Sequence, residues 1–389
     1  MIGASRGISL ACIGLALLVV AATTLATPRP LTAAEAATLS QGLANVVTTP
    51  EQYVLRKFER ADVVLLAEDH ALQHNLKLAQ RLIPLLYRAG IYNFGMEFGA
   101  SEDQAALDTL VTGAKYDESV ARRLMFNYNV GWVFKEYMDI YRVAWELNRS
   151  LPAGARKFRI LNLSYRYDFA AFTGARTPAA MAKVYYKGPA DAHRAEVVQR
   201  EILARGEKLL VLTGTVHAFT RYAMPMPDYN GEGFVRLDDR HLGNRLLKLA
   251  PGKVVTILLH QPFPGKFGGQ VRPANGALDQ VFTGLKGRRV GFDLVGTPMG
   301  ELADDSYYAT GYSDFRLRDL ADGYIYEMPI ENFRGCEIDE AFLTDQNWPQ
   351  AQRELPDFPG INPKPATRQQ YLDKIREYVD TRQRYRDLN

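Results

Sequence analysis

Long apolar runs that stop at chemically able residues recur along this chain. Val63 to Ala67 stops at Glu68-Asp69-His70, and Ile91 to Met96 stops at Glu97. Phe158 to Leu161 stops at Asn162, with Tyr165 and Arg166 just beyond. Leu209 to Leu212 leads into Thr213-Gly214-Thr215-Val216-His217, and Val254 to Leu259 stops at His260. Each run has the length of a buried strand. Between the first two, Leu72, Leu76, Ala79, Ile83 and Leu86 repeat at helical spacing, and Gly90 closes the segment. Strand, helix, strand at this length predicts a βαβ unit with parallel strands.

The same patterning predicts a short Ala-rich helix within 27–48 and a helix from Thr49-Pro50-Glu51-Gln52, where Thr49 and Gln52 make a capping box. Helices are expected over 101–150, near 191–206 and over 241–249. The stretch 168–190 reads as an irregular insertion. Further β-like runs lie at 289–295 and 323–327, and a charged helix runs from Thr367 to about Arg384. The prediction is one α/β domain over 49–389, with a mainly parallel central sheet, a core at about 60–300 and a C-terminal extension from about 301 to 389.

Parallel neighbours would bring the five polar stops to one sheet edge, where open α/β sheets bind ligands. Glu68 and His70 lie two apart, on one side of an extended segment. A carboxylate there can orient an imidazole or share a metal with it. With Glu97 and His217 they supply two carboxylates and two imidazoles. Two chemistries fit: a divalent metal held by Glu68, His70, Glu97 and His217, or a metal-free histidine base with glutamate partners. Asn162, Tyr165, Arg166 and His260 are candidate substrate-binding residues. Asp69 reads as a cap of the next helix. Arg194, on the helix before the fourth strand, could point into the site, though a solvated helix face is the favoured reading; His193 and His241 read as non-catalytic helical residues.

Composition narrows the options. The 389 residues are 47% hydrophobic and 23% charged, with a formal net charge of +3 and no basic run, which argues against nucleic-acid binding. Before the globular part, Arg6 precedes an apolar or small segment from Ile8 to Ala26 ending in Thr24-Leu25-Ala26. This predicts a signal peptide over 1–26 and an exported, periplasmic or secreted protein; an uncleaved N-terminal anchor is the alternative and the one expected membrane contact. Only Cys12 and Cys336 occur, so no disulfide framework is expected. No Gly-x-Ser-x-Gly elbow and no Gly-x-Gly-x-x-Gly are present, and no nucleotide cofactor is expected.

Taken together, Val63–His70 with His74, then Gly95-Met96-Glu97, then Gly214-Thr215-Val216-His217 resemble the erythromycin esterase/ChaN/TIKI-type superfamily over roughly residues 60–300. Tyr137 to Tyr141, leading to Ile160-Leu161-Asn162, is similar to the middle of that family. The resemblance implies a sheet with helices on both faces and polar roles for Glu68, His70, Glu97 and His217. It further implies one of three activities: metal-free ester hydrolysis, metal-dependent proteolysis, or haem binding. Ala67 stands where that family usually has glycine, and the Glu-x-His spacing is closer to the ChaN-like haem-uptake branch than to the esterases. The expectation is an exported hydrolase of an ester or amide in a small molecule or peptide. The alternative is a haem- or metal-binding protein with His or Tyr as haem ligands.

Overall fold

The computed structural model describes residues 29–46, 48–171, 177–227, 234–355 and 364–388. The predicted signal peptide lies outside these residues. The strands are β1 (Val63–Glu68), β2 (Asn93–Ala100), β3 (Arg159–Ser164), β4 (Leu209–Gly214), β5 (Met224–Pro227), β6 (Phe234–Asp238), β7 (Val254–Leu259), β8 (Phe263–Pro264), β9 (Gln270–Val271), β10 (Val290–Asp293) and β11 (Gly323–Tyr326). Seven of them form one sheet in the order β10-β11-β7-β1-β4-β2-β3. All neighbours are parallel except β10, which runs antiparallel to β11 at the edge. The predicted mainly parallel α/β sheet is therefore present; Glu68 ends β1, His217 and His260 follow β4 and β7, and Glu97 and Asn162 lie in the C-terminal halves of β2 and β3.

Strand alternation explains the layers. Along β1, Val64 and Leu66 enter one apolar cluster with helices Pro50–Lys57, Gln73–Arg88 and Lys135–Ser150. Val63, Leu65 and Ala67 enter the other, against Ala190–Glu201, Leu242–Leu249 and Ala277–Thr283. Burying each such Leu or Val contributes about 1.5–3 kcal/mol. Every β1 side chain is buried, as a strand covered on both faces requires. The Thr49–Gln52 capping box forms as predicted.

Three boundaries differ from the sequence reading. β2 continues past Glu97 to Ala100, with an irregularity in its pairing to β3 between Met96 and Ala100, so Glu97 sits inside a strand. The predicted tail helix is two pieces, Arg368–Val379 and Thr381–Arg384, separated at Asp380, which caps the second. The extension after 300 supplies β11, which lies between β7 and β10. Its following segment bridges Leu72 to Gly335 and Phe134 to Ile338. Gly335 is required there: a Cβ would stand 2.1 Å from the Val379 carbonyl oxygen.

Candidate functional site

The site forms where β1, β4 and β2 end side by side. Glu68 is in register with Gly214, and Met96 with Leu212, so Glu68, Thr213-Gly214 and Glu97 share one edge. Glu68 points to the same face as Leu66 and is buried. Its Oε1 accepts a hydrogen bond from Tyr137 Oη at 2.5 Å and lies 3.1 Å from His70 Nδ1. The His70 ring is half-buried, with its side chain 29% exposed. Its faces and edges meet Phe98 and Trp132, each with ring centroids 5.3 Å away. Its Nε2 lies against Gly214, where a Cβ would be 2.6 Å from His70 Cε1 and 2.8 Å from Nε2. Glycine at 214 is therefore what makes room for the imidazole.

The turn carrying His70 is strained and strapped. Ala71 has φ 59°, a left-handed conformation that costs a non-glycine residue about 1–3 kcal/mol. Surrounding bonds hold it: Ala71 N–H donates to Tyr137 Oη at 3.1 Å, and Cys336 N–H donates to the Ala71 carbonyl at 2.9 Å. Asp69 does not cap the next helix, whose N-cap is Leu72. Instead Asp69 pairs with Arg384 and accepts from Tyr385 Oη at 2.6 Å, while Arg384 Nη1 donates to the His70 carbonyl at 2.7 Å.

Glu97 anchors a second network. Its Oε2 accepts from Thr213 Oγ1 at 2.6 Å and from the Gly214 N–H at 2.8 Å. Its Oε1 accepts from Arg194 Nη2 at 3.0 Å and lies 3.4 Å from His217 Nε2. Arg194 is not on a solvated face: its side chain is 3% exposed, and Nη1 donates to Asp191 Oδ1 at 2.7 Å. Asp191 Oδ2 lies 2.8 Å from His217 Nδ1 and 3.4 Å from His241 Nδ1. Among the described residues, the donor atoms dense enough to hold an ion, all within 4.8 Å, belong to Asp191, His217 and His241. The predicted set of Glu68, His70, Glu97 and His217 does not form such a group among the described residues.

Electrostatics separate the carboxylates. Burial raises the pKa of Glu68 against the hydrogen bonds from His70 and Tyr137. Burial would lower that of His70, but the hydrogen bond and charge of Glu68 outweigh it, and the net shift is upward. Burial also opposes ionisation of Glu97, yet the charges of Arg194, His217 and His70 with the Thr213 hydrogen bond hold it down to about 2. Asp191 is likewise held well below the usual range, burial being outweighed by His217 and then by His241 and Arg194.

The remaining predicted residues have other partners. Asn162 Nδ2 donates to the Ala100 carbonyl at 3.0 Å, tying β3 to the end of β2. Tyr165 Oη donates to the Gly188 carbonyl at 2.5 Å, and Arg166 pairs with Asp103. His260 is sealed inside: its Nδ1 lies 2.7 Å from Tyr324 Oη, and Phe282, Tyr326 and Phe333 ring it. His193 lies 3.0 Å from Ser101 Oγ, and burial lowers the pKa of His74 to about 3. Cys336 is buried with its thiol pKa raised by that burial, which disfavours a nucleophile. Sequence reasoning missed Tyr137, Trp132, Asp191 and His241 as parts of the site, and favoured the wrong one of its two readings for Arg194. Asp191, Arg194, Ala195 and Val198 follow the i, i+3, i+4, i+7 pattern of a buried helix face, a signal available for the second network.

No protein-family model and no curated protein matches the sequence. Solved structures do. A succinoglycan biosynthesis protein is 13% identical, with a TM-score of 0.50 over 75% of this chain and 96% of its own. An erythromycin esterase mutant in its open conformation is 12% identical, with a TM-score of 0.48 over 74% and 95%. ChaN of Campylobacter jejuni, solved with cofacially bound haem, is 15% identical, with a TM-score of 0.34 over 54% and 86%. The likeness to the first of these, at a TM-score of 0.50 and 13% identity, is one of fold.

Proposed function

We propose that this protein is an exported hydrolase of esters or amides in small molecules or peptides, with His70 as the general base on water. The observation that carries this reading is the Glu68–His70 pair: Nδ1 is 3.1 Å from a buried carboxylate, so that Nε2 is left for water or substrate. Glu68 fixes the tautomer and stabilises the imidazolium formed when His70 takes a proton from water. Water adds to the carbonyl, the leaving oxygen or nitrogen collects the proton from His70, and the acid is released. Trp132 Nε1–H is a buried donor without a partner among the described residues, on a ring adjoining His70. Glu97, kept ionised by Arg194, supplies a fixed negative charge that favours the imidazolium. Export rests on the apolar segment Ile8–Ala26.

The test is product release from a panel of carboxylic esters and peptide amides. Wild-type protein is expected to turn over members of the panel, and His70→Ala to lower kcat by about 10²–10⁴-fold with the fold intact. Equal rates in the two proteins would sink the assignment. The part-buried Trp132 ring beside the His70 imidazole, whose side chain is 29% exposed, also suits a flat porphyrin. A Soret band on haem titration that is lost in His70→Ala would favour that second reading, haem binding without hydrolysis.

A further inference from the structure

We propose that Asp191, His217 and His241 form a binding site for one transition-metal cation of the zinc type, separate from the Glu68–His70 pair. Three elements deliver the ligands: Asp191 from the helix Ala190–Glu201, His217 from the short helix after β4, and His241 from the N-cap of Leu242–Leu249. A single oxygen, Asp191 Oδ2, faces both imidazole nitrogens, at 2.8 Å from His217 Nδ1 and 3.4 Å from His241 Nδ1. The longer separation exceeds a good hydrogen bond. Ligand atoms about 2.0–2.2 Å from a tetrahedral zinc ion stand roughly 3.4 Å from one another, so small movements would seat a cation between them. Two imidazoles and one carboxylate select zinc or its neighbours over calcium and magnesium, which take oxygen ligands.

The surroundings are those of a supported metal site. His217 offers Nδ1 to the cation, while its Nε2 lies 3.4 Å from Glu97 Oε1. This is a carboxylate–histidine–metal arrangement, in which the outer carboxylate fixes the ring and raises its basicity. Asp191 is fixed the same way: Arg194 Nη1 holds Oδ1 at 2.7 Å, leaving Oδ2 for the ion. Charge points in the same direction. Buried Asp191 and Glu97 carry two formal negative charges against the single guanidinium of Arg194, and a divalent cation offsets the remainder. The His217 and His241 side chains are 25% and 16% exposed, which gives an ion a route from solvent. Three protein ligands leave the fourth position open.

This proposal stands on its own residues and does not depend on hydrolysis by His70. It is tested by titrating chelator-stripped full-length protein with Zn²⁺ by calorimetry, and with Co²⁺ by its visible absorbance. One equivalent of Zn²⁺ is expected to bind, with the d–d bands of four-coordinate cobalt. His241→Ala should weaken binding by at least about ten-fold. That variant keeps its backbone cap, since the His241 N–H donates to Asn244 Oδ1 at 3.0 Å. His70→Ala should bind zinc as wild type does, so loss of turnover without loss of zinc separates the two assignments. Absence of Zn²⁺ binding, or equal affinity in wild type and His241→Ala, would overturn the site while leaving the His70 reading untouched.

Discussion

Two carboxylate–imidazole pairs flank Glu97, and they are built in opposite ways. Glu68 and His70 lie on one strand end and meet across two residues of sequence. Asp191 and His217 come from different elements and meet through the fold. The local pair requires a turn with a left-handed alanine, so it depends on straps from Tyr137, Cys336 and Arg384. The distant pair needs no strained turn but buries charge, so it depends on the Arg194 guanidinium shared between Asp191 and Glu97. The chemistry is similar, while the supporting costs are backbone strain in one case and desolvation in the other.

The largest test of this contrast is Arg194→Met. It leaves two buried carboxylates without their cation and should destabilise the protein by about 3–5 kcal/mol in urea or thermal unfolding. An unchanged unfolding midpoint would show that the second network does not rely on that guanidinium. Gly214→Ala attacks the local pair instead. The added methyl would stand 2.6 Å from His70 Cε1, so the ring must move, and kcat/KM should fall by about 10²-fold. Full activity in that variant would mean that His70 does not act from this position. Arg384→Ala releases Asp69 and the His70 carbonyl from the C-terminal piece. It should lower kcat by roughly ten-fold, for a loosely held catalytic group, while zinc affinity stays unchanged because the Asp191 pair lies elsewhere. Loss of zinc binding in Arg384→Ala would break the separation between the two pairs.

The same contrast explains what the sequence discloses. β1, β2 and β4 are legible because strands covered on both faces read as apolar runs, and Glu68, Glu97 and His217 are legible because polar residues interrupt or follow those runs. His260 carries the same signal at the end of β7, yet it is enclosed by Tyr324 and Tyr326 of β11 and by Phe333. Its fate is set by a strand more than sixty residues later, and no local pattern reveals that. Arg194 looks polar and solvated in sequence because burial of a guanidinium depends on carboxylates from β2 and its own helix meeting it. His241 reads as an ordinary helix-start residue until Asp191 is brought to it.

The most direct test of the central claim is the pH dependence of kcat/KM in wild type and Glu68→Gln, on whichever ester or amide of the panel is turned over fastest. A general base works only when unprotonated, so activity should rise with pH through the pKa of His70, and the profile of kcat/KM reports that value for the free enzyme. Because Glu68 raises that pKa, its replacement should move the acid limb to lower pH and also lower the plateau rate. An acid limb that stays in place when Glu68 becomes glutamine would contradict the assignment of His70 as the base.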